Sequence, residues 1–339
     1  MVLMVFSWIA SWTPEEGEIK EMKDMLSIGI VGLDTSHAIA FTELLNDSGH
    51  PYHILGGKVT AAYPGGSPNL PISASRVDGY ATQLQERFEI QLVESLGELA
   101  GQCDAMLLES VDGSVHEAQF AAVAACGKPV FIDKPLAFTT EEAIRIVKLA
   151  QQYNVPLMSS SALRYAEALT AALQAAGAAQ SASVLTGPSL AVVQGIDAYG
   201  PTPREAGFPG WFWYGIHTVE MVYAAMGAGC EQVEAMPSAE GELIIGRWQD
   251  GRIATIRGNQ HGGAFGAVLH SAAGSVHVEI ASHPKPFYAS LLEQIVNFFH
   301  TKQSPLPVAE TVEIIAFVEA VNESLASCKS VALGHAGLS

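Results

Sequence analysis

Residues 126–139, Cys-Gly-Lys-Pro-Val-Phe-Ile-Asp-Lys-Pro-Leu-Ala-Phe-Thr, constrain the fold more than any other stretch. Val130, Phe131 and Ile132 form a short apolar run of the β-branched and aromatic residues that fill a strand buried on both faces. Gly127 ends the Ala-rich helix before it, because glycine takes the left-handed C′ conformation without penalty. Pro135 stops the strand, having no N–H to give to a ladder. The charged pair Asp133-Lys134 therefore sits at the carboxyl end of a buried strand, the edge at which open α/β sheets bind ligands.

The same alternation continues on both sides. Apolar runs at 26–32, 58–62, 90–93, 105–108 and 155–158 read as strands, and 38–45, 83–88, 115–125 and 140–153 as helices. Thr139 and Thr140 cap the last helix, with Glu141 and Glu142 in its first turn. Strands alternating with helices predict a doubly wound parallel sheet. After 159–161 the pattern changes. A helix at 166–176 is followed, from about Ala182, by segments that read as antiparallel strands, with hairpin signals at Gln249-Asp250-Gly251 and Ala272-Ala273-Gly274. Helices at 288–300 and 309–327 close the chain. The fold class is thus α/β: a Rossmann-like parallel sheet over 25–158, then an α+β domain with a largely antiparallel open sheet over 159–339.

With 339 residues and 49% hydrophobic content, two sizeable cores are expected. A net charge of −18 argues against nucleic acid and anionic membrane surfaces as partners. Cys103, Cys126, Cys230 and Cys328 show no CxxC spacing, which fits a reducing, cytoplasmic setting rather than a disulfide framework or zinc knuckle. Residues 1–12 are apolar but too short to span a bilayer, and they lack a basic leader, so 1–24 reads as an N-terminal appendage. His261, His270, His277 and His283 lack metal spacing, and no metal site is expected.

The unit from His116 to Leu136, with Ala-Cys-Gly-Lys-Pro-Val before Asp-Lys-Pro-Leu, resembles the signature of the glucose-fructose oxidoreductase / inositol dehydrogenase (Gfo/Idh/MocA) family. Asp133 stands where glutamate is commoner. The likeness covers most of residues 25–334 and extends to the last long helix, 309–324. It implies an NAD(P)-dependent oxidoreductase acting on a sugar, polyol or related cyclic hydroxy compound, assembled as a homodimer or homotetramer. It places Lys134 beside the nicotinamide and the substrate hydroxyl.

Against that pattern the first turn departs. Where G-x-G-x-x-G lets the backbone approach a pyrophosphate, this chain has Gly32-Leu33-Asp34-Thr35-Ser36-His37. A carboxylate ~4 Å from a phosphate oxygen costs roughly 4 kcal/mol at an effective dielectric near 20, about three decades of affinity. Asp34, Thr35 and Ser36 also suit the cap of the next helix, which would put a protein carboxylate in the anion site. The second strand ends without a ribose-binding acid. Gly65, Gly66 and Ser67 follow instead, with Arg76 beyond, offering amides and a hydroxyl to a 2′-phosphate. NAD or NADP is accordingly expected to bind weakly. Loss of the dinucleotide, leaving a ligand-binding, regulatory or non-redox protein, is the alternative.

In the second domain the resemblance implies a substrate-contacting Arg164 within Ser160-Ser-Ala-Leu-Arg-Tyr165; His116 of the first domain, with Trp213 and Tyr214, is expected on the substrate side. The family's Asp-x-Gly-x-His-x-x-Asp pattern reads Trp213-Tyr-Gly215-Ile-His217-Thr-Val-Glu220 here, with Trp213 in place of the first acid. His217 is the expected general base, since an ordinary imidazole titrates near neutrality. The aromatic residues Phe208, Trp211, Phe212, Trp213 and Tyr214 offer flat faces to a sugar ring.

Overall fold

The structure, a computed structural model, describes residues 25–177 and 193–334. The appendage at 1–24 and the start of the expected antiparallel region, near Ala182, lie outside the described residues. The first sheet contains β1 (Leu26–Val31), β2 (Gly57–Tyr63), β3 (Gln91–Leu92), β4 (Ala105–Leu108), β5 (Val130–Asp133) and β6 (Leu157–Ser160). All neighbours are parallel, in the order β3-β2-β1-β4-β5-β6. Its helices are α1 (Ser36–Asn46), α2 (Pro71–Ala74), α3 (Val77–Phe88), α4 (Leu96–Gln102), α5 (His116–Ala124) and α6 (Thr140–Tyr153). In α6 the cap is Thr139, whose Oγ1 accepts from the Glu142 amide at 3.2 Å, and Asn154 ends the helix at φ +52.

The second sheet follows α7 (Glu167–Ala175). It contains β7 (Val193–Pro201), β8 (Cys230–Pro237), β9 (Gly241–Trp248), β10 (Ile253–Asn259), β11 (Gly266–Ser271), β12 (Gly274–Glu279) and β13 (Val331–Ala332), in the order β12-β11-β7-β10-β9-β8-β13. Every pairing is antiparallel except β7 with β10. The chain between them crosses over through α8 (Gly215–Met226). The last two helices are α9 (Phe287–Thr301) and α10 (Val308–Ser327).

Strand alternation turns Ile244, Ala254 and Ile256 inward, where they share a core with Val219, Val222 and Phe317 of α8 and α10. The outer face is more polar than an interface of bare apolar side chains: Thr255 Oγ1 donates to Asp197, Asp197 faces His270 at 2.9 Å, and Tyr199 meets His277 at 2.9 Å, beside half-buried Leu243 and Ile245. Helix α9 returns to the first sheet. Its Leu291, Leu292, Ile295, Phe298 and Phe299 share one core with Ile28, Phe41, Leu44 and Leu45.

Two registers position the site. Val31 lies opposite Leu108, and Leu108 opposite Ile132. One step further, Gly32, Glu109 and Asp133 stand side by side at the carboxyl edge, strands being about 4.8 Å apart.

Candidate functional site

The first turn is pressed against the loop after β4. Gly32 has φ +90, and a Cβ there would lie 2.5 Å from the Ser110 amide nitrogen. The Gly32 amide donates to the Tyr63 carbonyl at 3.0 Å and the Leu33 amide to Pro64 at 2.8 Å. Asp34 is fully buried. Its Oδ1 accepts from the Val111 amide at 3.0 Å and its Oδ2 from Ser73 Oγ at 2.5 Å. Burial pushes its carboxyl up, against the pull of those two bonds.

Asp34 therefore does not cap α1, as the sequence suggested it would with its neighbours. Thr35 does, its Oγ1 accepting from the His37 amide at 3.4 Å. Asp34 instead ties the segment after β2 to the loop after β4, because the turn directs it across the sheet edge. The amides of Thr35 and Ser36 make no hydrogen bond among the described residues, and Ser36 is exposed. A helix N-terminus of this kind suits a phosphate.

Gly65 and Gly66 have φ +59 and +92, and a Cβ on Gly65 would lie 3.3 Å from Gly32. The loop after β2 thus lies directly on the fingerprint turn. The Ser67 amide donates to Ser73 Oγ at 2.8 Å, while the buried Ser67 Oγ has no partner among the described residues. Ser67 lines a groove of about 510 Å³ with Asn69, Asp112, Ser114, Phe138 and Pro209, between the first sheet's loops and the second domain.

At the reacting end stands a group that spacing along the chain does not reveal. His37, in the place of the third fingerprint glycine, points into the sheet edge. Its Nδ1 lies 2.9 Å from Asp133 Oδ2 and 3.7 Å from Glu109 Oε2, and its Nε2 lies 3.0 Å from the Tyr288 hydroxyl of α9. All three residues are buried. Burial opposes the charge on His37, but the Asp133 carboxylate beside it raises the imidazole well above its ordinary range. Burial likewise opposes Asp133, and the His37 charge brings it down to about 2. Burial raises Glu109 to about 7. The signal for Glu109 was an acid directly after the fully buried run Ala105–Leu108; its partners come from other strand ends.

Lys134 follows Asp133 through a half-buried position, with a cis bond to Pro135. Its Nζ has no hydrogen-bond or ion-pair partner among the described residues and lies 5.8 Å from the Trp213 ring centroid, within cation–π range. From Trp213 the aromatic contacts run to Tyr214 at 5.5 Å and on to His217 at 5.6 Å. His217 Nδ1 lies 2.7 Å from Ser161 Oγ. Burial first, and then the Lys134 charge, bring the His217 imidazole well below its ordinary range. Lys134 and His217 thus border one aromatic cluster, Lys134 against Trp213 and His217 against Tyr214. Gly215 is required by packing: a Cβ there would lie 2.3 Å from the buried Trp211 ring.

Two expected substrate contacts are otherwise engaged. His116 is buried, with Nε2 2.7 Å from the Ser110 carbonyl and Nδ1 3.0 and 3.2 Å from those of Pro135 and Leu136. It cross-links the loops after β4 and β5, since a ring at the start of α5 reaches both. Arg164 is buried between two acids, Nε to Glu220 at 2.8 Å and Nη2 to Glu310 at 2.7 Å. Glu220 also accepts from the Ser161 amide at 3.0 Å, so the acid in the family's second place holds the backbone under His217 rather than the imidazole.

The site thus joins the carboxyl edge of a Rossmann-like parallel sheet, with Lys134 at a strand end, to the helix and aromatic residues that precede a mixed seven-stranded sheet. Residues 27–161 match the family described as "Oxidoreductase family, NAD-binding Rossmann fold" (GFO_IDH_MocA). Over 86 residues it is 37% identical to "Putative oxidoreductase YceM" of Salmonella typhimurium, a match spanning 25% of this chain and 28% of that relative's length. The fold is similar to scyllo-inositol dehydrogenase from Lactobacillus casei with bound NAD(H) and scyllo-inositol, at TM-score 0.70 and 16% identity over 91% of this chain and 99% of the other. It is similar also to myo-inositol 2-dehydrogenase from Lactobacillus plantarum, at TM-score 0.71 and 15% identity over 92% and 100%.

Proposed function

We propose that the chain is an NAD(P)-dependent dehydrogenase that oxidises a secondary hydroxyl of a sugar, polyol or related cyclic hydroxy compound. The observation that carries this reading is the unpartnered Lys134 ammonium at the end of β5, set against His217, whose imidazole is held in its neutral, basic form. The turn fits a dinucleotide at its phosphate end, where the Thr35 and Ser36 amides are free, and the unpartnered Ser67 hydroxyl stands on the groove beside it. A bound NAD(P) would supply the hydride acceptor for the carbinol carbon.

The chain's own residues manage the oxygen and its proton. Lys134 donates a hydrogen bond to the substrate hydroxyl and stabilises the charge that grows on it. His217 takes the hydroxyl proton at Nε2. That requires its N–H on Nδ1, donating to Ser161 Oγ, which also accepts from the Leu163 amide at 3.2 Å. Trp213 and Tyr214 pack against the apolar faces of the ring. A homo-oligomer built on the outer face of the second sheet belongs to the same reading; a strictly monomeric mass by light scattering at micromolar concentration removes it.

Binding of the cofactor is weak, because the Leu33 amide is spent on Pro64 and His37 fills a glycine place. The same two observations favour a second reading, in which the fold is kept and the dinucleotide lost. Calorimetry with NAD and NADP, followed by turnover with a panel of cyclic polyols, separates the two. A dissociation constant in the micromolar range with reduction of the cofactor supports the dehydrogenase, and Lys134→Met then lowers kcat/KM by roughly a hundredfold or more. No binding of either dinucleotide at millimolar concentration favours the second reading.

A further inference from the structure

We propose that His37, Glu109 and Asp133 form a three-ligand site for one divalent transition-metal ion of the zinc, manganese or iron class, at the carboxyl edge of the first sheet. One ligand atom from each lies within 4.8 Å of the others, and all three residues are buried. Donors about 2.0–2.2 Å from a tetrahedral ion lie about 3.3–3.5 Å from one another. The Nδ1 separations of 2.9 and 3.7 Å from Asp133 and Glu109 bracket that value.

A second observation is independent of the clustering. Glu109 is entirely removed from solvent, and neither carboxylate oxygen has a hydrogen-bond partner among the described residues. A buried carboxylate left so is costly unless a cation or donors meet it. His37 Nδ1 faces both acids, 2.9 Å from Asp133 and 3.7 Å from Glu109, so a divalent ion bound there would take the place of the proton that Nδ1 otherwise carries between them. The Tyr288 hydroxyl at Nε2 supplies the outer contact that fixes the ring and leaves Nδ1 for the metal.

One imidazole and two carboxylates give a neutral complex with a divalent ion and leave a coordination position open. That position suits an oxygen donor such as a hydroxyl or carboxylate of the substrate, next to Lys134. The site goes beyond the dehydrogenase reading and does not depend on it, since a metal can be counted without turnover.

The test uses the full chain, dialysed separately against Zn²⁺, Mn²⁺ and Co²⁺, then against metal-free buffer, with metal content read by mass spectrometry. About one equivalent of at least one ion is expected to remain, and to fall at least tenfold in Glu109→Gln and His37→Gln variants that keep the wild-type circular dichroism. Should either variant fail to fold, the cobalt-loaded wild type decides: visible bands distinct from aqueous Co²⁺ support the site, and their absence overturns it. Negligible retention of all three ions, or retention unchanged in both variants, also overturns it. The cluster is then an ion network closed by protons or buried water.

Discussion

Replacing Asp34 separates two accounts of the first turn. In the structure its carboxylate accepts from the Val111 amide and from Ser73 Oγ, and no part of it is exposed. Hydrogen bonds to a charged acceptor contribute about 1.5–3 kcal/mol each. In Asp34→Ala the Val111 amide is left buried without an acceptor, while the Ser73 hydroxyl is free to rotate and lose less. Removing a carboxylate that burial disfavours recovers part of the loss. The net cost is about 2–3 kcal/mol, or a fall in melting temperature of roughly 3–4 °C in a chain of this size. Asp34→Asn keeps an oxygen for Val111 and loses about half as much. Calorimetric titration of Asp34→Gly with NAD and NADP completes the experiment. A carboxylate aimed at the phosphates would make the variant bind up to about three decades tighter; a carboxylate engaged as seen here tightens binding less than tenfold. A variant that binds tenfold tighter or more and melts at the wild-type temperature refutes the reasoning.

Arg164→Met strands Glu220 and Glu310 as buried unpaired acids and is expected to cost about 3–5 kcal/mol by chemical denaturation; a loss below 1 kcal/mol would mean that water reaches the pair. Gly32→Ala meets the Ser110 backbone at a left-handed φ and should destabilise by about 3 kcal/mol or more, which thermal melting reads directly. Because the His217 pKa is depressed, its base form persists below the ordinary value, so the acid limb of kcat/KM lies below pH ~6.5. The linkage has the matching sign: as pH falls below ~6.5 the unfolded imidazole takes a proton that the folded one resists, and stability declines. In Lys134→Met the larger of the two charges that depress it beside burial is gone, and the His217 titration followed by NMR should move upward; an unchanged titration means that the Lys134 charge does not reach the imidazole.

The parallel sheet was legible because its strands are short, largely apolar runs closed by Gly, Pro or a charge, a pattern that two-sided burial favours. The second sheet's hairpins were legible from Gly251 and Gly274, whose positive φ their turns require. Strand β7 and its parallel pairing with β10 were not, since pairing across a long crossover leaves no local mark. Within the candidate site, Lys134 and His217 are singled out by their flanks as the proposed catalytic pair. Asp34 was readable as an oddity but not in its direction, which depends on Ser73 and Val111, residues distant in sequence. Glu109 was missed for the same reason: its significance lies in register, which sets it beside Asp133. Arg164 and His116 looked like ligand contacts, because a buried cross-link and a substrate clamp use the same side chains, and only their partners distinguish them.

The return of α9 to the first sheet bears on how the chain is made. Phe41, Leu44 and Leu45 share one core with Leu291–Phe299 as well as with the first sheet, so that core is not complete until about 140 residues beyond β6 have left the ribosome. At about 5–20 residues per second that is roughly 7–30 s of synthesis with a large apolar surface uncovered. A nascent chain in this state is a substrate for holding chaperones, and a fragment ending at residue 161 keeps that surface for good. The contact of Tyr288 with His37 extends the dependence to the site itself: the sheet edge that would hold a ligand is completed by one of the last helices to emerge.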